Sequence, residues 1–347
     1  MKRDVDRGQW SAPAPWLTRP VAFFCGLLCA VAVTVVLIEA LRHNSQHAAS
    51  PRTQMALPVA ERASSPFPRT IPDASGALLV IPHKPQRIVS QTLGTDELLL
   101  TIGDPQRIVA LSDLVDDPVY SNVTAQAQQI RGRTQAGAEQ ILRFQPDMIF
   151  VATYSRAELL TLLEAAHAPV FRFGHFDALA DIKLNIRTLG YIIGEDDRAE
   201  TLVQHMERDL ARVREHIPRG VPPLRVMSYG LDGYTGGAHT TFDDMVQEVG
   251  AINIAALHGI TGFRKISSEQ LLQWNPEVII TSAARHALDD TRRQLLYDPA
   301  VATTTAGKRQ RIIVIPHHIF VTVTHHVAEG IAQLAHELYT PECCPHP

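Results

Sequence analysis

Tyrosine, histidine and arginine side chains at the ends of short apolar runs are the groups through which this chain could act. Gln91, Thr92, Tyr154, His175, Tyr229, Tyr234, His239 and His286 all fall where an apolar run gives way to a loop. Tyr and His can donate an electron pair to a bare metal ion or to the axial position of haem iron. Gly236-Gly237-Ala238-His239 is the most suggestive stretch, because glycine lets backbone approach a ligand closely. For any one histidine, a structural or surface role competes with ligation. The pairs His317-His318 and His325-His326 are notable in a chain with 16 histidines. Read as strand residues, adjacent side chains point to opposite faces, so at most one of each pair would face a site. No G-x-S-x-G elbow, P-loop, G-x-G-x-x-G or C-x-x-C signature is present. The chain reads as a binder, not an enzyme.

The elements that must position these residues come in two copies. Glu139 to Thr153 reads E-Q-I-L-R-F-Q-P-D-M-I-F-V-A-T, and 130 residues later Glu269 to Ala283 reads E-Q-L-L-Q-W-N-P-E-V-I-I-T-S-A. Each copy predicts a helix, a turn and a strand. Pro146 and Pro276 cannot continue a helix, and the apolar runs after them suit buried parallel strands. Arg87-Ile-Val-Ser90 and Arg225-Val-Met-Ser228 open the two halves. Between them, Ala199, Leu202, Val203, Met206, Leu210 and Val213 keep helical spacing over 196–216. The predicted fold class is α/β: two homologous α/β lobes bridged by a single long helix, preceded by an N-terminal transmembrane segment. The predicted limits are 73–178 for the N-terminal lobe, 179–217 for the bridging helical region and 222–340 for the C-terminal lobe.

Composition is that of a globular protein, with 45% apolar and 20% charged residues among 347. A net charge of −4 gives no footprint for nucleic acid. Residues 1–19 carry Lys2, Arg3, Arg7 and Arg19 and are expected to stay in the cytoplasm. Within 20–41, Val21 to Ile38 is uncharged and almost wholly apolar, and nearly long enough for a bilayer core. An uncleaved anchor is favoured there over a cleaved signal segment. The stretch 42–72 reads as a flexible linker, and 341–347 as a frayed tail carrying Cys343-Cys344.

Over about residues 70–340 the chain resembles the periplasmic solute-binding proteins of ABC importers for iron-siderophores, cobalamin and haem. Asp73-Ala-Ser-Gly76 with Pro85-Gln-Arg-Ile-Val-Ser90, the two repeat units, and Leu296-Tyr-Asp-Pro299 with Arg311-Ile-Ile-Val-Ile-Pro316 carry the likeness. It implies a ligand in the cleft between the lobes, and an ABC permease and its ATPase as partners. It places permease docking on Glu139 and Glu269. The competing reading is two first-turn glutamates complementing helix dipoles. Arg133-Thr134 matches an Arg-Thr pair of ferrichrome-type binders, with Phe263-Arg264 as its counterpart. A guanidinium suits the oxygen-rich shell of a ferric chelate. The expected ligand contacts are thus Arg133, Tyr154, His175, Tyr234, His239 and Arg264. No resident cofactor is expected, and the ligand itself would contain iron or cobalt. The implied location is the periplasmic side of the inner membrane, anchored by one pass or free if the segment is cleaved. Two alternatives compete: capture of bare zinc or manganese by His175, His239 or His317, and a chelatase-like enzyme.

Overall fold

The computed structural model describes residues 66–135 and 137–339. The expected membrane segment, most of the linker and the Cys343-Cys344 tail lie outside the described residues. Among the described residues no helix is long and apolar enough to cross a membrane.

A hairpin of β1 (Arg69–Pro72) and β2 (Leu78–Ile81) comes first. Asp73 shapes its turn by accepting from the amides of Ser75 and Ala77, at 2.8 and 3.1 Å. A parallel sheet follows, made of β3 (Ile88–Ser90), β4 (Ile108–Ser112), β5 (Arg133–Thr134), β6 (Met148–Ala152) and β7 (Val170–Phe173) in the order β5-β4-β3-β6-β7. With it go α1 (Leu93–Ile102), α2 (Ala138–Arg143) and α3 (Ala157–Ala165). Next come α4 (Leu179–Ile193) and α5 (Asp196–His216). The later strands are β8 (Arg225–Ser228), β9 (Tyr234–Gly236), β10 (Ile252–Asn253), β11 (Phe263–Lys265), β12 (Val278–Ala283) and β13 (Ile312–Pro316). A second parallel sheet has the order β10-β8-β12-β13, while β9 and β11 form a separate antiparallel ribbon. The helices of this half are α6 (Thr241–Glu248), α7 (Ser268–Trp274), α8 (Leu288–Tyr297) and α9 (Val327–Tyr339).

The repeat in the sequence is a repeat in space. Helices α2 and α7 both run into a left-handed residue, Gln145 and Asn275, each with φ of 47°. Proline then turns the chain into β6 or β12. Asp147 accepts from the amides of Gln86 and Arg87, and Glu277 accepts from the amide of Arg225. Arg87 in turn donates to the carbonyls of Phe144 and Gln145, and Arg225 to that of Trp274. In both halves the same ring of bonds ties the repeat unit to the opening strand.

Both repeat strands are buried on both faces. Met148 and Phe150 of β6 face a central core, and Ile149 and Val151 a second one. Val278 and Ile280 of β12 face the same central core, and Ile279 an outer one. That central core takes in α1, α4, α5, β8, β13 and α9, so it runs through both halves without a break.

The bridging region holds α4 and then α5, and α5 is the long helix expected over 196–216. Gly194, at φ of 70°, ends α4, and α5 alone spans about 30 Å at 1.5 Å per residue. Its buried stripe is Ala199, Val203, Met206, Leu210 and Val213. Arg107 holds its start by donating to Glu195 at 2.7 Å and to the Ile193 carbonyl at 2.9 Å. Arg69 donates to Asp196 at 2.8 Å with its guanidinium over the Tyr191 ring. At the far end Arg214 grips Glu248 of α6 at 2.7 Å.

Candidate functional site

In parallel sheets the carboxyl ends of the strands carry the binding loops. Here such loops from both halves meet around a cavity of about 310 Å³. Leu93, Gly94 and Glu97 follow β3, Leu114 and Tyr120 follow β4, Tyr154 follows β6, and Val321, Thr322 and Val323 follow β13. Leu114, Tyr120, Tyr154 and Val321 are between 39% and 63% exposed, an apolar and aromatic surface of the kind that marks a binding site. Tyr154 leans on Phe176, with ring centroids 5.3 Å apart. Tyr120 stacks on His317 of the other half at 5.5 Å and 14°.

The floor of the cleft is polar and bonded through. Glu97 of α1 is 1% exposed. It accepts from both nitrogens of Asn122, at 3.0 and 2.8 Å, and from the hydroxyls of Thr322 and Thr324 across the cleft, at 3.3 and 2.6 Å. Asn122 also donates to the His318 carbonyl at 2.7 Å. Asp96 is fully buried and accepts from the amide and hydroxyl of Ser112 at the end of β4. Burial pushes its carboxyl up to about 7, against the opposing pull of those hydrogen bonds. At the sequence level, Asp96 and Glu97 pass for first-turn residues of a helix. Asp96 is indeed in the first turn of α1, and both carboxyls in addition bind the end of β4 or the segment after it, Glu97 reaching Thr322 and Thr324 as well.

Arg133 does not face the cleft with free donors. Nε and Nη2 hold Asp116 at 2.6 and 2.8 Å, Nη1 donates to the carbonyls of Ile130 and Gly132, and Nη2 also to that of Ala127. A guanidinium has five N–H donors, and all five are engaged within its own lobe. Tyr234 and Arg264 sit on the ribbon, both exposed, with Tyr234 opposite Lys265 and Arg264 opposite Thr235. His239 is exposed with φ of 60°. A Cβ on Gly237 would lie 2.1 Å from the Ile260 carbonyl oxygen. The close approach that this glycine permits is therefore to the chain's own backbone. His175 is half-buried, and its carbonyl accepts from Asn185 at 2.7 Å. Thr92 caps α1, Gln91 donates to the Thr134 hydroxyl, Tyr229 is buried in the outer core of its lobe and His286 is exposed. Glu139 and Glu269 are exposed at the same place on α2 and α7. Glu139 pairs with Arg143 at 2.6 Å, and Glu269 accepts from Ser267 at 3.0 Å.

The histidine pairs do not lie on strands. Pro316 ends β13, and His317-His318 open a short helix, so the two rings are not held to opposite faces of a sheet. His317 Nδ1 meets Ser282 Oγ at 2.9 Å, and His318 Nε2 accepts from Arg285 at 2.8 Å. Burial lowers the pKa of both. His325 and His326 lie against each other, centroids 4.0 Å apart, before α9. They help line a larger cavity of about 690 Å³ between α5 and α9. Only the segment after β13 reaches that cavity, through His325 and His326, whereas segments after four strands line the cleft. Tyr120 and Val321 escaped the sequence reading. Tyr154 stands two residues past β6, but Tyr120 lies eight past the end of β4, beyond a short helical turn, and is too far from the apolar run for that rule to reach it. Among the described residues no group of three or more His, Cys, Asp or Glu side chains is arranged to hold a metal ion.

Comparison with known proteins places the chain. The family model described as "Periplasmic binding protein" matches residues 88–318. The "Cobalamin-binding protein" of Halobacterium salinarum is 24% identical over 285 residues, covering 81% of this chain and 76% of that protein. The apo structure of the periplasmic heme-binding protein RhuT from Roseiflexus sp. RS-1 aligns with a TM-score of 0.62 and 24% identity, over 73% of this chain and 98% of that one. The molybdate-bound structure of MolA from Haemophilus influenzae aligns with a TM-score of 0.65 and 21% identity, over 79% and 92%.

Proposed function

The chain belongs to the periplasmic binding protein family, and on that premise we propose that its cleft captures a metallo-tetrapyrrole, haem or a corrinoid, for a membrane permease. Members of this family are binding components of ABC importers, not enzymes, and act outside the cytoplasm. The finer choice of ligand rests on one observation: the cleft is walled by Leu93, Leu114, Tyr120, Tyr154 and Val321, while every donor of Arg133 is already engaged. Aromatic and apolar walls favour the broad face of a macrocycle. A ferric siderophore's oxygens would call for free donors on Arg133, and it has none to offer. A cobalamin-binding relative and a haem-binding structural neighbour support the same reading. In this proposal Tyr154 contacts the ligand, Tyr234 and Arg264 overhang it from the ribbon, and Glu139 and Glu269 dock on the permease. The apolar run at 20–41 tethers the protein to the inner membrane.

Calorimetric titration of the purified full-length chain with haemin, cyanocobalamin, ferrichrome and molybdate tests the reading. Micromolar or tighter binding of a macrocycle, with ferrichrome and molybdate far weaker, is the expected result. Tight binding of ferrichrome or molybdate with neither macrocycle would overturn it.

A further inference from the structure

The buried carboxylate of Glu97 is shared between the two halves of the molecule. Its Oε1 accepts from the amide and the side chain of Asn122 in its own half, at 3.0 and 2.8 Å. Its Oε2 accepts from the hydroxyls of Thr322 and Thr324, at 3.3 and 2.6 Å, and these follow β13 in the other half. A buried carboxylate is costly unless donors close around it, and here a short strap, 321–324, supplies those of one oxygen. The strap is rooted in its own half, where Phe320 packs on Phe242 of α6 with ring centroids 6.0 Å apart. Its middle is folded on itself, the Thr324 amide donating to the Thr322 hydroxyl oxygen at 3.2 Å, with both hydroxyls turned to Glu97. It lies against the first turn of α1, where a Cβ on Gly94 would come within 3.0 Å of Val323 Cγ2. Asn122 adds a tie at the root, to the His318 carbonyl at 2.7 Å. Val321, Thr322 and Val323 are at the same time one wall of the cleft.

We infer that Glu97 is a positioning residue of the cleft: it latches the strap 321–324 onto α1 and so fixes where the wall carrying Val321 and Val323 stands. This rests on the reading of the cleft as the binding site. With the latch made, the wall is in place before a ligand arrives, and less ordering has to accompany binding. With it broken, Glu97 is short of donors and the strap is held by its root alone. Loss of the latch therefore shows first as local opening of the strap, and then as a shorter-lived complex.

Hydrogen exchange of the ligand-free full-length chain, read by mass spectrometry, tests the latch. Thr324→Val keeps the shape of the side chain and removes its hydroxyl, whereas Thr324→Ser keeps the hydroxyl. Peptides over 320–328 hold the bonded amides of Thr324 and Val327. In Thr324→Val they should exchange about tenfold faster, the scale of losing one hydrogen bond to a charged group, and in Thr324→Ser they should stay near the wild-type rate. General loosening would instead speed only the slowest amides, those of β6 and β12, and leave the strap unchanged, which would overturn the latch. Stopped-flow release of haemin and of cyanocobalamin gives the second readout. Whichever of the two the wild type binds, Thr324→Val should release it about tenfold faster, and Thr324→Ser should not. A strap that opens faster with no change in release would overturn the positioning role. If the wild type binds neither probe, the macrocycle reading falls, and the exchange result alone decides the latch.

Discussion

Two buried titratable groups give this protein opposite responses to pH. Asp96 has a folded pKa of about 7 against an ordinary 3.8. The folded state therefore holds that proton more tightly than the unfolded chain, and stability falls as pH rises from about 4 to about 7. Asp96→Asn keeps an acceptor for the Ser112 amide and offers a donor to its hydroxyl. It should raise the melting temperature at pH 8 and change it little at pH 4. His325 goes the other way. Burial, with His326 beside it, lowers its pKa to about 3, so stability is full above about 6.5 and declines as pH falls toward 3. The slope is roughly 1 kcal/mol per pH unit. His325→Leu should flatten the acid side of a melting-temperature profile. If the profile keeps its slope, the buried ring is not its source. Arg133→Lys replaces five bonds by three at most. It should cost about 1–3 kcal/mol of stability and leave haemin affinity unchanged, whereas a ligand-binding arginine would show the reverse. The residue types at these positions were legible in the sequence, but their burial was not. Asp96 next to a helix start and Arg133 next to a threonine carry no mark of what the β4 loop brings against them.

At the scale of elements, the repeat was legible because its punctuation is chemical. Pro146 and Pro276 fix where each helix must stop, and the strand after each is apolar on both faces. The left-handed residue before each proline differs between copies, with consequences for stability. Gln145 pays for its φ of 47° with no hydrogen bond from its side chain among the described residues, so Gln145→Gly should stabilise by about 1 kcal/mol. Asn275 has the same φ, but its Oδ1 accepts from the Thr305 amide at 2.7 Å. Asn275→Gly should therefore gain nothing, and chemical denaturation of the two variants side by side separates the cases. The short pieces were not legible. β5 is two residues long and joins the first sheet, while the equivalent β11 leaves the second sheet to pair with β9. Pattern alone cannot place segments so brief. The same limit hid the change from strand to helix at Pro316, which frees His317 and His318 from opposite faces of a sheet.

At the scale of the molecule, the α/β class and its parallel sheets follow from apolar runs spaced by helical ones, and the structure bears them out. What the sequence did not show is that one core serves both halves. Ile182 of α4, Val203 of α5, Phe150 of β6 and Ile280 of β12 belong to a single buried cluster. Neither half can melt and leave the other its full core. Scanning calorimetry should show one transition, with equal calorimetric and van't Hoff enthalpies, and two resolved peaks would refute the shared core. Close-packed interiors yield little under load, so the space between the halves is set by the frame and not by the cargo. Such a protein sorts molecules as a machinist's gauge sorts parts. A candidate of the right thickness enters, one slightly too thick is refused at full cost, and one too thin rattles and leaves.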